Sequence, residues 1–258
     1  GVLRMPLDIA QAVCDEAHKL GLRTSAHIES TEGVEVGLKA GVDTIEHGAP
    51  LTDDLLKLFK KNGLGNASSL TCTLSPALPF AVLSPEKTHS THVQKVNGRV
   101  VYEGVATATR QALANGIPVG LGTDSACPFV THYDMWREVV YFQRHTGVTP
   151  EFALHTATLK NAQLLGVAEE TGSIEPGKSA DLIVLDANPL DDLCALREVE
   201  QVYMAGKPVK YKAKHLPKVD AELDSIMNGL DNDPFVSEWN VAGEKKSLNP
   251  FAKRAAKE

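Results

Sequence analysis

Hydrophobic positions alternate between helical and strand periods over the first two thirds of the chain. Residues 6–20 (PLDIAQAVCDEAHKL) place Ile9, Val13, Ala17 and Leu20 on one helical face, with Pro6 at the start and Gly21 just past the end. Residues 22–28 (LRTSAHI), 42–47 (VDTIEH) and 117–124 (IPVGLGTD) read as strands, and 63–70 (GLGNASSL) as a weaker one. Helices are predicted over 31–40, ending at Gly41, over 51–63 with Thr52 as N-cap and Gly63 as stop, and over 99–115, 133–145 and 151–166. Residues 71–98, rich in Ser, Thr, Pro and His, are predicted to be a long loop. This alternation implies parallel strands joined by helical crossovers, in four strand–helix units. From residue 171 the rhythm changes. A Pro-Gly turn, the strand-like SADLIVLD and a hairpin over 199–210 turning at Ala205-Gly206 predict a small β module. Residues 213–258 are polar, with a helix expected near 219–229 and a basic end.

Composition narrows the function classes. In 258 residues, 43% hydrophobic and 23% charged content describe an ordinary globular protein. A formal net charge of -7 argues against a nucleic-acid or anionic-membrane surface as the main partner. No apolar run approaches the roughly 18 residues of a membrane span. The four cysteines (Cys14, Cys72, Cys127, Cys194) are scattered, which suits reduced thiols in a cytoplasm better than a disulfide framework.

Chemistry gathers at the strand ends. His27 follows RTSA, His47 follows DTIE and Asp124 lies in GLGTDS. In parallel α/β sheets, ligands and catalysis collect at the carboxyl ends of the strands. A lone histidine there is more simply a hydrogen-bonded structural residue, and a lone aspartate a helix cap. Three such groups at equivalent ends point instead to a site for zinc, iron or manganese. His132, in the loop leaving GTDSACPF, is a candidate substrate contact, while Glu29 and Ser125 adjoin the expected ligands. His89 and His92 are assigned to the polar loop, His155 to a structural helix position, and His18 and His145 to helix surfaces. Asp181 is assigned to the β module.

The segments SAHIES…GLKAGVDTIEHG, IPVGLGTDS and GSIEPGKSADLIVLDANPL…VEQVYMAGKPVK together resemble the amidohydrolase superfamily. The nearest branch is the imidazolonepropionase-related enzymes with their Xaa-Pro dipeptidase-like members, and the likeness runs over residues 1 to about 212. The resemblance implies a TIM-type (β/α)8 barrel in which His27 and His47 end strands five and six and bind the metal. Asp124 would end strand eight, touch the metal and shuttle the proton while a metal-activated hydroxide attacks an amide carbonyl. One or two ions, zinc first with iron or manganese as alternatives, are the implied cofactor.

The family's HxH pair on strand one has no counterpart, since the histidines of THSTH (88–92) are spaced by three. GVLRMP sits where the family has the segment just after strand four, and the carboxylated lysine that many members place at the end of strand four would lie just before it. The expected architecture is therefore the second half of the barrel (strands five to eight) over 1–170, part of a small β-sandwich module over 171–212, and a partly helical tail over 213–258. Such a half would expose two parallel-strand edges and apolar faces. The N-terminal half is accordingly expected as a separate chain or a missing segment, and activity is expected to need it. The other expected partner is a small-molecule substrate, with homo-oligomerisation left open. Two alternatives stand beside a cytoplasmic amidohydrolase: a non-catalytic scaffold retaining the fold, and a single-metal hydrolase of esters or phosphotriesters.

Overall fold

The computed structural model describes residues 3–59, 68–210 and 213–236. They fall into two compact units, Gly1–Gly122 and Thr123–Glu258.

The first unit runs α1 (Leu7–Lys19), β1 (Ser25–Ile28), α2 (Thr31–Ala40), β2 (Thr44–His47), α3 (Asp53–Leu58), β3 (Ser69–Cys72), α4 (Leu78–Val82), α5 (Pro85–Thr88), α6 (His92–Ala114) and β4 (Val119–Leu121). The strands form one sheet in the order β1-β2-β3-β4, every pair parallel, as the alternation predicts. Val34 and Leu38 of α2, Ile45 of β2, Leu70 of β3 and Val105 and Ala108 of α6 are buried in this unit. Burying each of the larger ones contributes about 1.5–3 kcal/mol. Local chemistry starts the helices where expected: the Ser30 and Thr52 hydroxyls accept from the Gly33 and Leu55 N–H groups. The expected stop at Gly63 lies outside the described residues.

At the amino-terminal ends of β1 and β2, Asp43 ties α1 to the strands. Its Oδ2 accepts from the Thr24 N–H at 2.7 Å and the Thr24 hydroxyl at 3.0 Å, and lies 2.9 Å from His18 Nε2. His18 is thus not a helix-surface residue but a largely buried partner of that carboxylate.

The expected loop over 71–98 is largely helical. A capping box starts α6: Thr91 Oγ1 accepts from the Gln94 N–H at 3.2 Å, and Gln94 Oε1 accepts from the Thr91 N–H at 2.8 Å. Gly98 lets α6 lie directly on α4, since a Cβ there would come within 2.6 Å of Phe80 Cβ. The polar composition reads as loop because these helices are short, proline-started or glycine-interrupted.

The second unit holds α7 (Met135–Thr146), α8 (Pro150–His155), a π-helical turn (Thr156–Lys160), α9 (Asn161–Leu165), β5 (Leu182–Leu185), β6 (Val199–Met204), β7 (Lys207–Pro208) and α10 (Pro217–Gly229). Strands β5-β6-β7 form an antiparallel sheet with an irregularity at Val184/Leu185. Its hairpin turns at Ala205 (φ 48) and Gly206 (φ 75), the paired positive angles of a two-residue turn. Asp181 braces that turn by accepting the Ala205 N–H at 2.8 Å, the structural role expected of it. Along α7, Trp136, Arg137, Glu138, Val139, Tyr141 and Phe142 are all buried. So is His145, which is not a surface residue: it is fully buried with Nδ1 2.6 Å from the Tyr141 carbonyl. The basic chain end lies outside the described residues.

Candidate functional site

The parallel register pairs His27 with Glu46 and Ile28 with His47. Strict pleating would send two histidines offset by one position to opposite faces of the sheet. They nonetheless meet: the ring centroids are 4.7 Å apart, edge to face at 77°. The cause is local. His47 adopts φ 70 and Gly48 φ 85, so the pleat stops at His47 and the chain turns away while the Gly48 N–H still bonds the Ile28 carbonyl at 2.9 Å. Position 48 accepts only glycine without strain, because a Cβ would lie 2.6 Å from Leu70 Cδ1 and 3.4 Å from Ala108 Cβ.

The two rings differ in access. His47 is 4% exposed and His27 is solvent-exposed, so the pair has one buried and one open imidazole. A cavity of about 690 Å³ beside β1 is lined by His27, Glu29 and Ser30 together with Leu3, Met5 and Val13. Glu46, the register partner of His27, is held by the Ser25 hydroxyl at 2.6 Å and the Thr44 hydroxyl at 2.7 Å, both from the strand starts. Imidazoles on adjacent strand ends fit two positions of a nitrogen- and oxygen-ligated divalent ion. Among the described residues, no group of three or more His, Cys, Asp or Glu is gathered around one point.

Asp124 and His132 belong to the second unit, in the segment that leaves β4. Asp124 is exposed with φ 54, a left-handed angle that aspartate tolerates better than most residues. Beside it the Thr123 and Ser125 hydroxyls lie 2.9 Å apart. His132 is exposed further along the same loop. His155 is partly buried on α8, where burial and then the Lys160 charge lower its pKa. Sequence reasoning missed Glu46 as a neighbour of His27, although strand alternation carried the signal for it. It also missed Tyr133, whose partner Asp220 is too far along the chain for any local signal.

A model of the Amidohydrolase family matches residues 5–209. The chain belongs to the amidohydrolase family. The crystal structure of a protein from Bifidobacterium longum assigned as a prolidase superposes with a TM-score of 0.84 at 45% identity, covering 87% of this chain and 56% of that one. A Xaa-Pro dipeptidase crystallised with methionine in its active site gives a TM-score of 0.69 at 29% identity, covering 81% and 50%. The imidazolonepropionase of Shouchella clausii is 27% identical over 231 residues, 84% of this chain and 44% of that protein. The amidohydrolase chain thus falls in the branch with imidazolonepropionase and dipeptidase relatives, and its architecture is of the TIM-type α/β kind. It spans about half the length of the relatives it matches.

Proposed function

We propose that this chain supplies strands five to eight of a metal-dependent hydrolase barrel that cleaves a C–N bond of amide or peptide type. The observation that carries this reading is the His27–His47 ring pair at the ends of adjacent parallel strands, in a chain of the amidohydrolase family. His27 and His47 hold a divalent ion, zinc first and iron or manganese as alternatives, and Asp124 completes this chain's share of the donors. When bound, such an ion lowers the pKa of water and polarises the scissile carbonyl. Asp124 takes the proton that the attacking water gives up and delivers it to the leaving nitrogen as the C–N bond breaks, so the carboxylate is regenerated each turnover. His132, on the same loop, contacts the substrate. Among amides, the names of the similar structures favour a dipeptide with proline on the leaving side.

Residues 1–170 are the half-barrel, 171–212 part of a small β-sandwich module, and 213–258 a partly helical tail. The remaining strands come from an N-terminal half. Two features support it: β1 is an edge strand flanked by the cavity, and Met5 and Val13, which line that cavity, are 49% and 54% exposed. The test is chelator-sensitive hydrolysis of amide and X-Pro substrates by the barrel carrying both halves. Asp124→Asn is expected to abolish turnover without changing the melting temperature. Full activity in that variant refutes the proton-shuttle role, and hydrolysis unaffected by chelator refutes the metal.

A further inference from the structure

The segment that carries Asp124 is strained. Besides Asp124 it holds Ala126 at φ 86 and Phe129 at φ 67, two residues with no side-chain oxygen to ease a left-handed backbone. Its internal backbone bonds run from the Ala126 N–H to the Val130 carbonyl at 3.1 Å, from Cys127 to Asp124 at 3.0 Å, and from Val130 to Cys127 at 2.9 Å. Backbone of this kind persists only where its surroundings fix it.

The fixing is visible on its C-terminal side. Asp134, buried, accepts from the Thr131 hydroxyl at 2.7 Å and the Trp136 indole N–H at 3.0 Å. Tyr133 between them reaches the C-terminal segment instead. Its hydroxyl donates to Asp220 Oδ1 at 2.9 Å and accepts from the Leu216 N–H at 2.9 Å, and the His215 ring lies 4.3 Å from the Tyr133 ring. One turn on, Arg137 donates to Asp224 at 2.7 Å, and Arg197 donates to the same carboxylate at 3.2 Å. Arg144 holds the far end of α10 by donating to the Met227 carbonyl at 2.7 Å. Leu223, Ile226 and Met227 are buried along α10. All these residues lie in the second unit, and the segment that supplies Asp220, Asp224 and Met227 lies beyond the residues the family model matches.

We propose that residues 213–230 are a clasp that positions the Asp124 loop, with the Tyr133 hydroxyl as its point of attachment. Only the catalytic consequence rests on the role proposed above for Asp124; the ordering of the loop does not. Tyr133 is a positioning residue: it acts on Asp124 through the backbone between them. The general consequence is that a tail outside the shared family segment sets the geometry of a carboxylate inside it.

Amide hydrogen exchange on the full chain, without metal or substrate, tests this. In Tyr133→Phe and in Asp220→Asn, the Ala126, Cys127 and Val130 amides are expected to exchange about tenfold faster, the effect of losing one or two net hydrogen bonds. Thr91→Ala, which removes the capping box of α6 outside the clasp, is expected to lower the melting temperature yet leave those amides unchanged. Loop amides at the wild-type rate in Tyr133→Phe overturn the proposal. So does acceleration shared equally by α7, α10 and the loop, because that is general destabilisation. In the barrel carrying both halves, Tyr133→Phe is expected to lower kcat about tenfold with KM nearly unchanged, and an unchanged kcat overturns the positioning role. A wild-type barrel without metal-dependent hydrolysis would defeat the functional reading and leave the exchange result standing.

Discussion

Gly48 is where the site and the core meet, and replacing it with alanine measures how tightly the turn behind His47 is built. Two costs add. Alanine at φ 85 costs about 1–2 kcal/mol in backbone strain, of which the stiffer unfolded chain returns about 0.4–1 kcal/mol. The new methyl would also sit 2.6 Å from Leu70 Cδ1, and Leu70 and Ala108 are both fully buried, so the core has to shift. Overpacking of this kind costs about 1–3 kcal/mol. The sum is about 2–4 kcal/mol. Gly116→Ala is the control, because Gly116 has φ 69 but no atom lies within 4 Å of where its new methyl would sit. It should lose only the backbone part, about 1 kcal/mol. Urea unfolding of the two variants at equal m-value reads the difference directly. If Gly48→Ala loses no more than Gly116→Ala, the close packing behind His47 is not what fixes the turn.

Two further predictions concern helices. Thr91→Ala removes the capping box of α6 and should destabilise the protein by about 1 kcal/mol, measured by the same urea method, with the amides of the first turn of α6 exchanging fastest. Asp224 supplies a pH dependence. Burial alone would raise its pKa, but the hydrogen bond and charge of Arg137, then the Arg197 charge, hold it below the usual carboxylate value. A depressed folded-state pKa means that the stabilisation is complete above the unfolded value of about 3.9 and is lost as pH falls through the lower folded one. Thermal melts from pH 6 down to pH 3 should therefore show Asp224→Asn less stable than the parent at neutral pH, with the gap closing in acid. A gap independent of pH would mean that the Arg137 ion pair contributes nothing.

Much of the fold could be read from the sequence because its signals were local. Thr52, Gly41 and the Ala205-Gly206 turn carry their instruction within a few residues, and each does what its chemistry predicts. The strand alternation likewise implied the parallel pairing of β1 to β4. The failures share a different cause. Helices α4 and α5 and the first turns of α6, over 71–98, hide among prolines and polar residues because their packing rests on a distant partner, Phe80 against Gly98. The rest of α6 was legible as the helix over 99–115. His18 and His145 look exposed on a helical wheel but are buried by Asp43 and by the packing around α7, neither of which periodicity can show. At the site, sequence placed His27 and His47 on strand ends. That they face one another depends on the left-handed turn at His47, which no propensity predicts for histidine followed by glycine.

The most direct test of the central claim is metal content. The barrel carrying both halves should be compared with its His27→Ala/His47→Ala double variant after exhaustive dialysis, by inductively coupled plasma mass spectrometry. At least stoichiometric divalent metal is expected in the parent, with its loss from the double variant at unchanged secondary structure. Equal metal in the two proteins, or none in the parent, would contradict the assignment of His27 and His47 as ligands.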